Sequence, residues 1–265
     1  MELHNGLTRE LLCGARYAIL PGDPGRVERI ASLLDSPREL AFHREYRSFL
    51  GTLSGEPVLV ISTGIGGPST AICVEELNLL GIDTLLRCGT CAAMQQEVEP
   101  GDCILVTGAI RQEGTAREYL PLEFPAIADF TVVSCMKRAA ERLGLSHHVG
   151  IVHCKDSLWG QRDPDTMPMA GELKAKWNAW RACGTLGCEM ESATLFTVSS
   201  VRHLRAGAVM LCVWNQIRRD MGLAVEEVTD PENAARIAVE TIRELIRYDR
   251  KQPLPGQGKP RGDAL

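Results

Sequence analysis

Val58-Leu59-Val60-Ile61-Ser62-Thr63-Gly64-Ile65-Gly66-Gly67-Pro68-Ser69-Thr70 sets the architecture of this chain. A continuous apolar run gives way to a glycine-rich turn, and the turn opens a segment with helical spacing over Ser69–Leu80. An unbroken Val/Leu/Ile run reads as a strand buried on both faces, and the helix after it is the element that covers it. The same alternation recurs outward. Strands are expected at Tyr17–Leu20, Thr84–Cys88, Cys103–Thr107, His148–Cys154 and Ala206–Val213. Helices are expected at Arg26–Leu34, Phe130–Leu143, Gly171–Ala182, Ser192–Leu204 and Pro231–Tyr248. Apolar strands between amphipathic helices predict an α/β fold: a single domain with a mixed central β-sheet flanked by helices. That domain is expected over residues 5–250, and the Pro-, Gly- and charge-rich tail 251–265 is expected to be disordered.

Two further glycine-bearing turns follow strand candidates, and both carry arginine. They are Pro21-Gly22-Asp23-Pro24-Gly25-Arg26 and Arg87-Cys88-Gly89-Thr90. Glycine lets backbone N–H groups approach an anion closely, and a helix N-terminus adds partial positive charge. A guanidinium offers a permanent charge and a planar donor fork suited to phosphate oxygens. Arg26, Arg87 and Arg44 together would hold one small oxyanion at the ends of parallel strands, which points to an enzyme that uses phosphate.

Composition narrows the alternatives. The chain has 265 residues, 45% of them hydrophobic, and a net charge of −5 from 29 basic and 34 acidic side chains. This balance gives no general attraction to nucleic acid or to an anionic membrane. No run of about 18 apolar residues is present, so no membrane-spanning helix is expected. The first residues lack the zones of a signal peptide, and a cytoplasmic location is expected. Many of the 10 cysteines sit inside apolar stretches and read as buried free thiols. Cys88 and Cys91 have the spacing of half a metal or redox site, but no second such pair accompanies them.

Cys188-Glu189-Met190-Glu191-Ser192 is the other stretch that carries chemistry. If residues 186–191 are extended, Glu189 and Glu191 share a face. At the carboxyl edge of a sheet, such a carboxylate can accept hydrogen bonds from two vicinal hydroxyls, as on ribose, and can oppose the charge of a developing oxocarbenium ion. The competing view is a helix N-terminus favoured by negative charge, with Met190 in the core.

Pro21–Pro24, His43-Arg44-Glu45, Thr63–Ser69, Arg87–Thr90 and Glu189–Ser192 resemble, in order and over nearly the whole chain, the nucleoside phosphorylase-I family. Val74-Glu75-Glu76-Leu77 and Pro121-Leu122-Glu123-Phe124-Pro125 resemble its uridine phosphorylase branch. The resemblance implies phosphate binding by Gly22, Arg26, Arg87 and Thr90, with Arg44 entering from a neighbouring subunit. It implies ribose binding by Thr90, Met190, Glu191 and a neighbour's His4. It further implies a monovalent cation such as K+ at Glu45, Ile65 and Ser69 in some relatives, although Glu45 could equally pair with an arginine. The implied reaction joins uridine and inorganic phosphate to give uracil and ribose 1-phosphate. No cofactor takes part, and the implied assembly is a homo-oligomer, a hexamer of three dimers or in some branches a dimer.

The base end departs from that pattern. Lys155-Asp156-Ser157-Leu158-Trp159-Gly160-Gln161-Arg162 replaces a longer loop with an aromatic pair. Gln161 suits a uracil edge, because an amide both donates and accepts. Arg162 or Lys155 would cover the remaining carbonyl, with Leu158 and Val213 as walls. On an extended segment Gln161 and Arg162 would point opposite ways, so only one of them would face the base. Val213-Trp214-Asn215-Gln216 lacks the aspartate with which purine-cleaving relatives protonate their base. A purine or broad-specificity phosphorylase, a hydrolytic nucleosidase and a non-catalytic nucleoside-binding protein are the alternatives. The arginine set disfavours the nucleosidase.

Overall fold

A computed structural model describes residues 3–251. Its centre is β5 (Thr84–Ala93), a strand with a different neighbour at each end of one edge. Residues 84–87 of that edge pair in parallel with β1 (Tyr17–Leu20), while Ala92 and Ala93 pair antiparallel with β9 (Gly187–Glu189). The other edge pairs along its whole length with β10 (Arg205–Asn215). The first half of β5 therefore belongs to an open sheet and the second half to a closed one.

The open part runs from β1 through β4 (Glu56–Ile61) and β3 (Tyr46–Leu53) to β2 (Asp35–His43). The closed part is a ring. From β5 it passes to β10, to β6 (Cys103–Gln112), to β8 (His147–Lys155), to β9 and back to β5. A two-residue strand β7 (Ala126–Ile127) is added to β6. Closing the ring removes sheet edges at the place where β1 stops and β9 begins.

Period-two alternation sends side chains of one strand into two cores. Ala18 and Leu20 of β1 and Leu59 and Ile61 of β4 join α3 (Gly67–Leu80) and α8 (Ser192–Val201) on one face. Tyr17, Ile19, Val58 and Val60 join α2 (Val27–Ala31), α5 (Phe130–Leu143) and α10 (Glu232–Lys251) on the other. Both faces of the apolar strands are thus covered, as their composition requires. The end of α10 is fixed by Asp249, which accepts hydrogen bonds from Tyr17 Oη (2.7 Å) and from Arg205 (2.6 and 2.8 Å).

Short helices complete the fold: α1 (Arg9–Leu12), α4 (Thr115–Tyr119), α6 (Leu158–Arg162), α7 (Ala170–Ala182) and α9 (Gln216–Asp220). Buried Arg111 donates to the carbonyls of Ala116, Leu120, Pro121 and Phe124, and so clamps the segment after β6. Two glutamates of α3 act as clasps. Glu75 takes a bidentate ion pair from Arg202 (2.7 and 2.9 Å), and Glu76 binds the backbone and ring of His4 (2.7 Å each).

Several expected boundaries shift. The helix expected over Arg26–Leu34 ends at Ala31, because the chain turns into β2 at Asp35. The strands expected at Thr84–Cys88 and Cys103–Thr107 each continue for five more residues, paired along their length with β10 and β8, and residues 89–92 and Gln112 of these extensions line a cavity. All ten cysteines are free, and Cys88 and Cys91 are both buried. No helix among the described residues is long and apolar enough to cross a membrane. Lys251 closes α10, and the rest of the expected tail lies outside the described residues.

Candidate active site

A cavity of 1580 Å³ opens where β1 ends and β9 begins. Single-ligand pockets run to roughly 1,000 Å³, so this one has room for two ligands side by side. Gly22, Arg26, Arg87 and Thr90 line it, and so do Met190 and Glu191. Lys155, Leu158, Gln161, Arg162 and Val213 line it from β8, α6 and β10. Glu45, Ile65 and Ser69 stand on its rim.

The turns after β1 and β4 are held together by backbone bonds from Thr63 N to Pro21 O (2.9 Å) and from Gly64 N to Gly22 O (3.0 Å). Gly22 is needed for space. A Cβ there would lie 3.3 Å from the Gly64 carbonyl and 3.8 Å from Nη1 of Arg87. That Nη1 is buried and has no hydrogen-bond partner among the described residues. A cationic donor left free beside a backbone without a side chain can donate to an anion that enters the cavity. Arg26 reaches the same cavity from the turn after Gly22, and its nearest carboxylate oxygen, on Asp23, is 3.9 Å from its Nε.

The rest of the Arg87 guanidinium is occupied. Nε donates to Glu189 (3.2 Å) and Nη2 donates to Glu191. The two carboxylates do share a side, but their work differs. Glu189 caps α8, accepting from the backbone N–H of Glu191 (2.9 Å) and of Ser192 (3.0 Å). Glu191 accepts from Gly66 N at 2.6 Å. The glycine turn at the start of α3 thus spends its Gly66 N–H on Glu191. Burial pushes the Glu191 carboxyl above its ordinary range, against the pull of Arg87.

Gln161 and Arg162 lie on the helical turn α6, not on an extended segment, so opposite orientation does not apply. Gln161 donates to Cys188 Sγ (2.9 Å), and its Oε1 is buried without a partner. Arg162 is exposed and sits over the Trp159 ring at 5.3 Å. Asn215 is fully engaged, bonding the carbonyls of Gln95 and Val98 and capping α9 through Arg218 N.

Two expected residues lie elsewhere. Arg44 is exposed at the β2–β3 turn with φ of +56°, and His4 is tied to Glu76; neither lines the cavity of its own chain. Four contributors went unread in the sequence: His153, Gln112, Trp177 and Trp180. His153 Nε2 meets Gln112 Oε1 at 2.6 Å, and its ring packs on Trp180 with centroids 4.3 Å apart. Burial first, and the charge of Lys155 second, bring its pKa down to about 3. One polar ring inside Ile151-Val152-His153-Cys154 was the available signal.

The model of the phosphorylase superfamily matches residues 16–248. The chain belongs to that superfamily. Among curated members, a uridine phosphorylase of Treponema pallidum is 51% identical over 94% of this chain and 95% of its own. A uridine phosphorylase of Escherichia coli K12 is 43% identical over 92% and 97%. A guanosine phosphorylase of Halorubrum lacusprofundi is 38% identical over 85% and 89%. The superfamily match spans every element that lines the cavity.

Proposed function

We propose that this protein is a pentosyltransferase that cleaves uridine with inorganic phosphate, giving uracil and ribose 1-phosphate. The observation that carries this is the buried, unpartnered Nη1 of Arg87 beside Gly22, in one cavity with Arg26 and with Glu191. The uridine phosphorylases at 51% and 43% identity support the choice of nucleoside.

Phosphate bound between Gly22, Arg26, Arg87 and Thr90 is held as an oriented nucleophile, its entropy of approach removed on binding. Its oxygen bonds to C1′ of the ribose as the C1′–N1 pair leaves with the base. Positive charge grows on the ribose ring in between. Glu191, steadied by Gly66 and Arg87, accepts from the ribose hydroxyls and opposes that charge. Met190 lines the ribose side and Val213 and Leu158 line the base side. Gln161 has an unpartnered Oε1 for a ring N–H. Asn215, locked in backbone bonds, offers no acid to a purine.

The reading extends to a homo-oligomer, a hexamer of three dimers, in which Arg44 and His4 complete a neighbour's site. What supports it is their position outside their own cavity, on a chain that also exposes Phe42 (61%) and Ile65 (79%). Among the described residues Glu45 makes no ion pair; Gly64 packs against its stem, and Ile65 O lies 3.2 Å from Ser69 Oγ. These oxygens would suit a hard monovalent cation such as K+ shared between subunits. A cytoplasmic location belongs to the same reading.

The test is uracil release from uridine, followed with and without phosphate. Release only with phosphate, with ribose 1-phosphate as co-product, is expected. Equal release in its absence overturns the proposal.

A further inference from the structure

Lys155 ends β8 and is 6% exposed, yet its ammonium has no hydrogen-bond or ion-pair partner among the described residues. Its stem is buried while its ammonium faces the cavity, so the charge is left for whatever binds there. Nearby carboxylates are engaged elsewhere. Asp156 accepts from Gly114 N (2.8 Å), Glu113 accepts from Ala116 N and Thr194 Oγ1, and Glu189 and Glu191 hold Arg87. Two neutral side chains flank Lys155 on the sheet. Gln112 is its register partner on β6, and His153 shares its face of β8. Its charge enters the cavity from the β6–β8 side of the ring, whereas Arg26 and Arg87 enter from the β1–β5 side.

We propose that Lys155 is the catalytic cation for the leaving base, its ammonium stabilising the negative charge that collects on the pyrimidine as the C1′–N1 bond breaks. This rests on the phosphorolysis reading above. The bonding pair passes to N1 and spreads to the ring carbonyl oxygens, the phosphate oxygen takes the place of N1 on C1′, and N1 later gains a proton from water. Arg162 is not equivalent, because its exposed charge is screened by water and rests over Trp159, while the stem of Lys155 is buried and its ammonium meets the cavity.

The experiment compares Lys155→Met and Lys155→Arg on uridine and on 5-fluorouridine, whose base leaves more readily as an anion. Lys155→Met is expected to lower kcat on uridine by about 10²–10³-fold. The loss on 5-fluorouridine is expected to be at least about tenfold smaller, since less charge stabilisation is needed. Lys155→Arg, which keeps the charge, is expected to keep the wild-type ratio between the two substrates. Equal losses on both substrates, or no loss, overturn the role of Lys155 while leaving phosphorolysis intact. Wild-type enzyme that needs no phosphate ends both.

Discussion

A side-chain carbon on Gly22 would stand 3.8 Å from Nη1 of Arg87, inside the space where that buried donor lacks a partner. Gly22 does not adopt the left-handed backbone conformation, so alanine is acceptable there in every respect but volume. Gly22→Ala is therefore expected to raise the KM for phosphate about tenfold, or ~1.4 kcal/mol, with a modest drop in Tm from the 3.3 Å contact to the Gly64 carbonyl. Initial rates over a phosphate series, with uridine saturating, measure it. An unchanged phosphate KM would move the anion away from this turn.

Glu189 and Glu191 both reach Arg87, but their variants should fail in different ways. Glu191→Gln keeps an acceptor for Gly66 and the side-chain volume but loses the charge opposed to the ribose cation, so kcat should fall about 10²-fold, with a smaller loss of Tm than Glu189→Ala. Glu189→Ala removes the cap of α8 and one partner of a buried ion pair. A loss of about 3 kcal/mol is expected, which is roughly 6–12 °C in Tm for a domain of this size. Thermal melts and kcat on the same two variants separate the roles.

The strands that form the cores were legible because they are unbroken apolar runs: Val58–Ile61, Tyr17–Leu20 and Ala206–Val213. β2 was not, because its residues are largely exposed at the edge of the open sheet and carry no apolar period. β9 has only three residues, held by the ring closure that no local signal encodes. The glycine and arginine turns were legible as an expected anion site, and Gly22, Arg26, Arg87 and Thr90 do line one cavity. That Arg87 would also bind Glu189 and Glu191, more than 100 residues away in sequence, is a product of topology. The pairing of His153 with Gln112 depends likewise on the β6–β8 register.

His153 makes stability sensitive to acid. Its native pKa is lowered to about 3 from the ordinary 6.5, so below 6.5 the unfolded chain binds a proton that the native ring refuses. Stability should therefore fall as pH drops from 6.5 towards 3, by ~1.4 kcal/mol per unit at most, or about 2 kcal/mol by pH 5. His153→Gln should flatten that dependence. Urea unfolding near pH 7 and near pH 5, on both proteins, provides the comparison; parallel slopes would place the acid sensitivity elsewhere.

If Arg44 acts in a neighbour's site, two dead variants should revive each other. Arg44→Ala and Arg87→Met chains, mixed and reassembled, give mixed pairs with one site that has its own Arg87 and the partner's intact Arg44. Random pairing predicts roughly a quarter of wild-type activity. No recovery, in pairs shown to have exchanged chains, would mean that Arg44 serves its own chain or none.

All four indoles of the chain, Trp159, Trp177, Trp180 and Trp214, line the same cavity. Two of them lie under arginines, Trp159 under Arg162 and Trp214 under Arg219 at 5.6 Å. The protein consequently carries its own optical gauge. Whatever enters must disturb its entire tryptophan emission, so occupancy can be followed by unlabelled fluorescence even when no bond is broken.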